Sequence, residues 1–283
     1  MLKQSLVFGI ICFRERYWET ITFQNLVRSY HHTIREKPSL NIVIFDNTDL
    51  TQWKENATNF QNDKIQIHYF ADNKNPGISA AINYFGKFAV QNSYDWICFL
   101  DQDTNLPLDF YDKYNDFLQD NNDFEIAFPK VYSNNKLISP SGYYFYRTKI
   151  FDKLDESSIK LKNVTAINSG LFIKTNFFIT KGGYNKNLKI DFCDHEFIER
   201  LNQKNYSAGI IDIRLNQDFS EETNDKKKSL FRYKMYIKDL KAYSKNKSKI
   251  LLFFRVDLPH LVKLTLKYKS LHFIKLRLQN SIF

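Results

Sequence analysis

Two aspartates separated by one residue, Asp101 and Asp103, have the residue types and the spacing of a cation-binding pair. Side chains at positions i and i+2 of an extended chain point to the same side, so the two carboxylates would converge. Like charges this close are costly unless a cation neutralises them, and Mg²⁺ prefers oxygen ligands and shares its coordination with substrate phosphates. The same residues also occur where a strand simply ends in a polar loop. The elements around the pair must therefore show whether it forms a cation site.

A second acidic cluster contains Asp191, Asp194 and Glu196, at the start of a helix predicted over 192–202. A carboxylate at this position can serve as a general base that takes a proton from a substrate hydroxyl. It can equally cap the free N–H groups of the helix and interact favourably with the helix dipole. The neighbouring Cys193 and His195 point apart on a helix, so a thiol nucleophile is not expected.

The elements that would position these residues alternate between apolar strands and helical patterns. The first hundred residues predict strands over 5–13, 40–45, 65–70 and 96–100, and helices over 17–36 and 78–91. This alternation is typical of βαβ units in a mainly parallel sheet. Ligands of such sheets bind at the carboxyl ends of the strands, and Asp46, Asp72, Asn75 and Asp101 follow strand ends. These positions predict a nucleotide-type crevice, although Asp and Asn are also ordinary turn residues.

The second half of the chain is less regular. It predicts strands over 125–131, 165–174 and 208–215, with a polar, aromatic-rich connection over 133–163. Apolar residues continue at helical spacing beyond position 226, namely Leu230, Tyr233, Ile237, Leu240 and Tyr243. We therefore expect an α/β body over residues 1–222 and a basic, amphipathic helical tail over residues 223–283.

Composition and charge separate the body from the tail. The chain has 283 residues, of which 43% are hydrophobic and 25% charged, which argues against disorder. Residues 226–283 contain 16 Lys and Arg against 2 Asp and Glu, whereas residues 1–225 contain 25 against 29. A tail of net charge +14 suits an anionic partner, either nucleic acid or acidic lipid, or is simply a solvated face.

Several classes of protein are not expected. No apolar run approaches the roughly 20 residues that a membrane span needs, and the run over 5–13 lacks a signal-peptide cleavage site. The three cysteines form no CxxC motif, so a disulfide framework or zinc finger is not expected, and the predicted location is the cytosol. The chain also lacks the GxGxxG, GxxxxGK[ST], HExxH and GxSxG motifs.

Five motifs occur in the order typical of one family, over about residues 5–222. They are FDNT (45–48), NPGISAAIN (75–83), FLDQDT (99–104), INSGLFI (167–173) and IDFCDHEFIERL (190–201). With them the chain resembles the family 2 glycosyltransferases, and within these the rhamnosyltransferase-like enzymes of bacteria. The resemblance implies the GT-A nucleotide-diphospho-sugar transferase fold, with a mixed, mainly parallel sheet flanked by helices and a basic helical extension at the C-terminus.

The resemblance also implies roles on the donor side of the site. Asp46 would contact the nucleobase, while Asn75, Gly77 and Asn83 would lie along the nucleotide. Asp101 and Asp103 would form the DxD motif that binds Mg²⁺ or Mn²⁺, with Asp103 the firmer ligand and Asp101 nearer the ribose or sugar.

On the acceptor side, the resemblance implies an inverting displacement. Asp194 would be its catalytic base and Glu196 would lie beside the acceptor, with Asp191 and Glu196 the next candidates for the base. Enzymes of this kind often have a metal-binding His after the last strand, where this chain has Gln217. Gln217 is therefore the expected third metal ligand, with Asp218 as the alternative.

The resemblance finally implies a setting in bacterial surface polysaccharide assembly, of O-antigen or capsule. The donor would be a nucleotide-diphosphate sugar, with dTDP-L-rhamnose favoured and UDP-hexoses left open. The acceptor would be a lipid-linked glycan, reached from the cytoplasmic face of the inner membrane through the basic tail, with no nucleic acid partner. Two alternatives remain: a nucleic-acid-binding protein that uses the tail, and a glycosyltransferase-like protein without activity.

Overall fold

The computed structural model describes residues 4–49, 60–72, 74–120, 123–202, 204, 206–217 and 225–280. Its strands, in chain order, are β1 (Leu6–Cys12), β2 (Leu40–Asp46), β3 (Ile65–Ala71), β4 (Trp96–Asp101), β5 (Thr104–Asn105), β6 (Ile126–Ser133), β7 (Lys136–Ser139), β8 (Ser141–Tyr144), β9 (Arg147–Lys149), β10 (Ser158–Lys160), β11 (Val164–Thr165), β12 (Phe172–Lys174) and β13 (Ser207–Gln217). Its α-helices are α1 (Ile21–His32), α2 (Ile78–Gln91), α3 (Phe110–Asp120), α4 (Thr175–Thr180), α5 (Cys193–Asn202), α6 (Lys226–Tyr243), α7 (Lys249–Leu252), α8 (Leu258–Lys267) and α9 (His272–Gln279).

The main sheet has the strand order β10-β13-β6-β12-β4-β1-β2-β3, with β5 paired to β13 and β7 to β6. Strands β1 to β4 run parallel, β12 runs antiparallel to both of its neighbours, and β6 pairs in parallel with β13. A small antiparallel sheet of order β11-β8-β9 lies beside it. The predicted mixed, mainly parallel sheet flanked by helices is confirmed.

Two hydrophobic clusters cover the two faces of the main sheet. One contains buried residues of α2, α4, α5 and α6, and the other contains those of α1 and α3. Helix α2 packs closely on β1, because a Cβ at Gly9 would lie 2.5 Å from the ring of Phe85. A larger residue at position 9 would therefore push the helix away from the sheet.

Helix α1 is shorter than the predicted span of 17–36. Residues Tyr17–Glu19 form a separate 3₁₀ turn, and the Thr20 hydroxyl accepts the N–H of Phe23 as the N-cap of α1. The helix ends at His32, because Thr33 follows it with extended backbone (φ −63°, ψ 119°) as the C-cap.

The structure corrects the strand and connection predicted in the second half. The strand predicted over 165–174 is wrong, because β11 ends at Thr165, β12 begins at Phe172 and the residues between form a loop. The connection over 133–163 contains β7, β8, β9 and β10. Helices α3 and α4 were not predicted. Short strands of this kind depend on tertiary pairing more than on local pattern.

The first helix of the basic tail packs into the body of the protein. Tyr233, Ile237 and Leu240 of α6 are buried in the same cluster as α2 and α5. The predicted boundary at residue 222 lies within 218–224, outside the described residues, so the domain division stays a prediction. Across the described part of the chain, no helix is long and apolar enough to cross a membrane.

Candidate active site

The carboxyl ends of β1, β2 and β4 meet at one edge of the main sheet. In the parallel register Cys12 pairs with Asp46 and Ile11 pairs with Asp101, so the two acidic residues flank β1. Strand β2 lies on one side of β1 and β4 on the other, so the strand order reverses here. Open α/β sheets bind their ligands at such a point.

A cavity of about 370 Å³ opens at this edge. Its polar lining includes Asn47, Asn75, Asp101, Asp103, Asp194 and Gln217. These residues come from the ends of β2, β4 and β13, from the loop before α2 and from the first turn of α5. Of the predicted site residues, the structure thus brings Asn75, Asp101, Asp103, Asp194 and Gln217 together.

Asp101 is the last residue of β4 and is held at both its backbone and its side chain. Its carbonyl accepts a hydrogen bond of 2.6 Å from Thr22 Oγ1, and its Oδ2 accepts one of 2.8 Å from Ser169 Oγ. Burial and then the charge of Asp103 raise the pKa of Asp101 to about 7, with a smaller contribution from Asp194 and against the effect of the Ser169 hydrogen bond. A cation placed between these carboxylates would offset this repulsion.

Asp103 is exposed and is oriented by Gln217. Its Oδ1 accepts a hydrogen bond of 2.6 Å from Gln217 Nε2, while Gln217 Oε1 accepts one of 2.8 Å from Thr104 Oγ1. The amide nitrogen of the buried Gln217 therefore faces the carboxylate, and its oxygen faces Thr104. The role of Gln217 as a metal ligand stays a prediction, and Asp218 lies outside the described residues.

The oxygen donors at the end of β4 fit a divalent cation that takes two carboxylates. Within the described ranges, no group of three or more His, Cys, Asp and Glu side chains could hold a metal ion. Mg²⁺ is usually bound through only one or two carboxylates, with substrate phosphates and water at the other positions. Asp101 and Asp103 supply such a pair of carboxylates in one cavity, and this shared lining is the observation in favour of a cation between the two.

Asp194 enters the cavity from the first turn of α5. Its side chain is 18% exposed, and its Oδ1 accepts the backbone N–H of His195 at 2.7 Å. No hydrogen bond from a described residue reaches Oδ2. One carboxylate oxygen is thus held by the helix, and the other can receive a proton.

The ring of His195 is fixed next to this carboxylate. Its Nδ1 lies 2.6 Å from Thr165 Oγ1 and 4.0 Å from Asp194 Oδ1. The ring also stacks on Tyr143, with 5.1 Å between the centroids and 17° between the planes. Strands β8 and β11 of the small sheet therefore support the start of α5.

Asp191 and Glu196 do not line this cavity. Asp191 forms a bidentate ion pair with Arg232 of α6, at 2.5 and 2.7 Å. Glu196 pairs with Arg200 at 3.0 Å, and Arg200 also donates to the carbonyls of Lys181 and Gly183. The carboxylate of Asp191 thus joins the loop before α5 to α6, and that of Glu196 pairs within α5. Their catalytic roles stay predictions.

Three residues expected on the donor side, Asp46, Gly77 and Asn83, also lie outside the lining of the cavity. Asp46 is fully buried, and its carboxylate accepts the hydroxyl of Tyr69 at 2.6 Å and the N–H of Thr48 at 2.9 Å. The amide of Asn83 bonds to both the N–H and the carbonyl of Tyr184. Their contacts with a nucleotide stay predictions.

Two backbone segments approach each other so closely at position 77 that only glycine fits there. The φ of Gly77 is 102°, and a Cβ at this position would lie 2.3 Å from the carbonyl oxygen of Lys189. Its N–H donates to Asn47 Oδ1 at 3.0 Å. Asn75, with a φ of 46°, makes the turn that precedes it and lines the cavity. Gly77 therefore joins α2 to the loop before α5.

The sequence reasoning missed three residues that shape the cavity. Asn47 and Ser169 lie within the quoted FDNT and INSG motifs, but no role was assigned to them. Asp239 of α6 is buried, and its carboxylate accepts the N–H groups of Lys189, Ile190 and Asp191 at 2.8–2.9 Å. No local signal marks Asp239, because its partners are about fifty residues earlier in the chain.

Comparison with protein families gives one match that covers more than half of the chain. The model of Glycosyl transferase family 2 matches residues 9–179. A curated relative, the dTDP-rhamnosyl transferase RfbF of Shigella flexneri, is 27% identical over 157 residues, which are 52% of this chain and 51% of that protein. The chain thus aligns with about half the length of this relative.

Comparison with solved structures shows the same fold in several glycosyltransferases. GalNAc-T7 with UDP, GalNAc and Mn²⁺ has a TM-score of 0.55 and 13% identity, over 91% of this chain and 57% of that one. TarS 1-349 of S. aureus also has a TM-score of 0.55 and 13% identity, over 92% of this chain and 79% of that one. The mannosyltransferase PcManGT of Pyrobaculum calidifontis, with GDP-Man and Mn²⁺, has a TM-score of 0.51 and 9% identity, over 88% of this chain and 66% of that one. The predicted GT-A fold is confirmed.

Proposed function

Because the chain belongs to glycosyl transferase family 2, we propose that it transfers a sugar from a nucleoside diphosphate to a hydroxyl of a glycan, with inversion at the anomeric carbon. One observation carries the proposal: Asp101, Asp103 and Asp194 line the same cavity at the carboxyl end of β4. Such a cavity has carboxylates for a metal-bound diphosphate and a further carboxylate for the acceptor.

On the donor side, Asp101 and Asp103 would hold Mg²⁺ or Mn²⁺. When bound, the metal would supply charge stabilisation for the departing nucleoside diphosphate. Ser169 and Gln217 hold the two carboxylates in place through hydrogen bonds of 2.8 and 2.6 Å. Asn75, which lines the cavity, lies along the nucleotide.

On the acceptor side, Asp194 is the general base. Its Oδ2 takes the proton of the acceptor hydroxyl, whose oxygen forms a bond to the anomeric carbon. The bond between that carbon and the diphosphate oxygen breaks, and its electron pair leaves with the nucleoside diphosphate. The N–H of His195 keeps Oδ1 in place at 2.7 Å, so the carboxylate does not need to reorient.

The proposed donor is dTDP-L-rhamnose. The support for this sugar is the sequence similarity to the dTDP-rhamnosyl transferase of Shigella flexneri. The UDP and GDP-Man of the similar structures support a nucleotide-linked donor in general. The proposed setting is the assembly of O-antigen or capsule, with a lipid-linked glycan as acceptor.

The proposed place of action is the cytoplasmic face of the inner membrane. The segment from α7 to α9 exposes large apolar side chains, among them Ile250, Phe254, Leu266, Leu271 and Leu278. Exposed lysines lie between them, at 249, 263, 267, 269 and 275. Apolar and cationic side chains together suit the headgroup region of an anionic bilayer, where each Lys contributes about 1 kcal/mol.

One observation supports the alternative of a protein without activity. Gln217 is the residue at the position where the resembling enzymes often have a metal-binding His, and its oxygen is bound to Thr104. A weak metal site would allow the donor to bind without turnover.

The transfer activity can be tested with a panel of nucleotide sugars and a pool of lipid-linked acceptors. Mass spectrometry should detect a product larger by one deoxyhexose, formed from dTDP-L-rhamnose with Mn²⁺ or Mg²⁺ but not with a chelator. A product from another donor would change only the proposed donor sugar and would leave the transfer activity in place. No product from any donor, with the nucleotide bound, would favour the inactive alternative.

Membrane binding can be tested by flotation with vesicles of phosphatidylglycerol and phosphatidylcholine. The wild-type protein should float with the anionic vesicles and release at high salt. The variant Phe254→Ser/Leu266→Ser should lose flotation, whereas Leu108→Ser, at an exposed apolar residue of the body, should not. Equal flotation of all three proteins would contradict the membrane assignment.

A further inference from the structure

Asn168 lines the candidate active-site cavity but has no part in the reaction proposed for it. It belongs to the loop between β11 and β12, and its residue is only 7% exposed. The hydroxyl of the next residue, Ser169, donates to Asp101. A buried amide is costly to remove from water unless each of its polar atoms has a partner, so the partners of Asn168 need an account.

The oxygen of this amide is held by the protein, whereas its nitrogen is not. Asn168 Oδ1 accepts the hydroxyl of the buried Tyr184 at 2.6 Å, and no described residue accepts a hydrogen bond from Nδ2. A tyrosine hydroxyl can donate or accept, so the charges of the cavity decide which end of the amide faces it. The opposite orientation would turn an oxygen towards the carboxylates of the lining. The nitrogen therefore faces the cavity.

This amide lies between the metal-binding pair and the proposed base. Ser169 joins its loop to Asp101 through a hydrogen bond of 2.8 Å. Tyr184, which holds the amide oxygen, is close to both ends of the site: burial raises the pKa of its hydroxyl, and Asp194, Cys193 and Asp101 raise it further. In the proposed reaction the sugar lies between the diphosphate at Asp101 and the acceptor hydroxyl at Asp194. The amide nitrogen therefore faces the sugar.

The loop that carries Asn168 is tied to two elements of the body. Gly170 N–H donates to the carbonyl of Phe99 in β4 at 2.8 Å, and the carbonyl of Gly170 accepts the hydroxyl of Tyr114 in α3 at 2.6 Å. The φ of Gly170 is 81°, and a Cβ there would lie 2.6 Å from Pro129. A donor on a loop held in this way needs little reorganisation when a substrate binds.

The described lining of the cavity has few other donors for a sugar. It contains no Lys or Arg, and three of its donor side chains already donate within the protein, namely Gln102, Ser169 and Gln217. Asn47 and Asn75 follow β2 and precede α2, where the nucleotide is proposed to lie. A sugar hydroxyl needs a donor for its oxygen and an acceptor for its proton, and carboxylates supply only the acceptor.

We propose that Asn168 contacts the substrate: its Nδ2 donates a hydrogen bond to a hydroxyl oxygen of the sugar on the donor nucleotide. Tyr184 is the positioning residue, because its hydroxyl holds the amide oxygen and so turns the nitrogen to the sugar. The proposal rests on the proposed function, since it takes Asp101 and Asp194 as the two ends between which the sugar lies.

The test compares the affinity for dTDP-L-rhamnose with that for dTDP, by calorimetry on the full chain with Mn²⁺ and without an acceptor. UDP-glucose and UDP are a second pair of probes. The ratio of the two affinities isolates the contribution of the sugar. Asn168→Ala should lower this ratio about three- to tenfold, because the sugar loses a hydrogen bond, and should leave the affinity for the diphosphate unchanged. Asn41→Ala, at the opposite end of β2 from the cavity, is the matched control.

Tyr184→Phe tests the positioning of the amide. It removes the hydroxyl that holds Asn168 Oδ1 and keeps the buried ring, so the ratio should fall while the affinity for dTDP stays the same. Tyr30→Phe is the matched control, because it also removes the hydroxyl of a buried tyrosine, one that donates to the carbonyl of Pro38 at 3.2 Å. A merely structural loss would not change the ratio, which compares two ligands on the same variant.

The outcomes separate this contact from the proposed function. A lower ratio in Asn168→Ala and Tyr184→Phe, for either pair of probes, supports the contact. An unchanged ratio in Asn168→Ala, an equal fall in either control, or wild-type binding of the diphosphates but of neither sugar nucleotide would overturn it. Loss of dTDP binding in both Asn168→Ala and Tyr184→Phe would also overturn it, since the pair would then only hold the cavity together. Wild-type protein that binds neither diphosphate with Mn²⁺ would instead count against the proposed function.

Discussion

The carboxylate of Asp239 accepts a hydrogen bond of 2.8 Å from the backbone N–H of Ile190, a residue that lines the candidate active site. The same carboxylate accepts the N–H groups of Lys189 and Asp191. The carbonyl of Lys189 in turn accepts the N–H of Ile78 at the start of α2. A buried acid of the basic tail thus fixes the loop between two parts of the cavity.

We expect Asp239→Asn to loosen this loop. An amide provides only one acceptor oxygen, so at least one N–H group of the loop loses its partner, at a cost of about 1–3 kcal/mol in the free energy of unfolding. Chemical denaturation measures this loss, and the KM for the donor should rise more than kcat falls. Asp225→Asn is the matched control, because Asn caps a helix as well as Asp does. Equal stability and equal KM in both variants would show that the loop does not depend on Asp239.

Asp194→Asn should keep donor binding and lose transfer. An amide cannot take the proton of the acceptor hydroxyl, and a general base typically contributes about a hundredfold or more to the rate. Steady-state kinetics should show kcat reduced by at least this factor, with the affinity for dTDP and Mn²⁺ unchanged. Near-normal turnover would move the base to another residue, with Asp191 and Glu196 the next to test.

Asp101→Asn should stabilise the metal-free protein while it weakens metal binding. The pKa of Asp101 is raised to about 7 in the folded state, above the value near 4 of an unfolded chain. This carboxyl therefore favours folding below pH about 4, and that contribution is lost as the pH rises towards 7. At pH 8 in a chelator the variant should be more stable by on the order of 1–3 kcal/mol.

Thermal unfolding across this pH range measures the effect. The wild-type protein should lose stability between pH about 4 and 7 relative to Asp101→Asn. Added Mn²⁺ should raise the melting temperature of the wild type and not that of the variant. Parallel stability curves for the two proteins would contradict the charge repulsion that burial and Asp103 impose on Asp101.

Gln217→Ala should weaken the metal site without unfolding the protein. The amide of Gln217 orients Asp103 through a hydrogen bond of 2.6 Å, and the loss of such a support typically lowers metal affinity about tenfold. Asn216→Ala, at the neighbouring exposed position, is the matched control. Titration with Mn²⁺ in the presence of dTDP measures the metal affinity of both variants. Equal Mn²⁺ affinities of the two would show that Gln217 does not support the metal site.

The sequence predicted the part of the fold whose signals are local. Strands β1, β2 and β4 are apolar on both faces, and parallel pairing brings Asp46 and Asp101, the last residues of β2 and β4, to the same edge of the sheet. Helix α3 was missed although Phe110, Tyr114 and Phe117 keep helical spacing, because Asp and Asn between them resemble a loop. The three-residue β12 is too short to show a period of its own.

The candidate site was predictable only where its residues follow strand ends or start a helix. Asp101, Asp103 and Asp194 meet these conditions, and they share a cavity. The environment of Asp46 was not predictable, since Tyr69 reaches it from the neighbouring strand. The role of Asp239 was not predictable, because it depends on the docking of α6 against the loop before α5. The periodicity of the tail predicts a helix but not the segment that it packs against.

The most direct test of the account is the affinity for dTDP in the presence of Mn²⁺ and in the presence of a chelator, measured by calorimetry for the wild type and Asp103→Asn. The account predicts binding that requires the metal and that weakens at least about tenfold in the variant. Binding of equal strength with the chelator, or an unchanged affinity in Asp103→Asn, would contradict the claim that the carboxylates after β4 hold a cation and, with it, the donor.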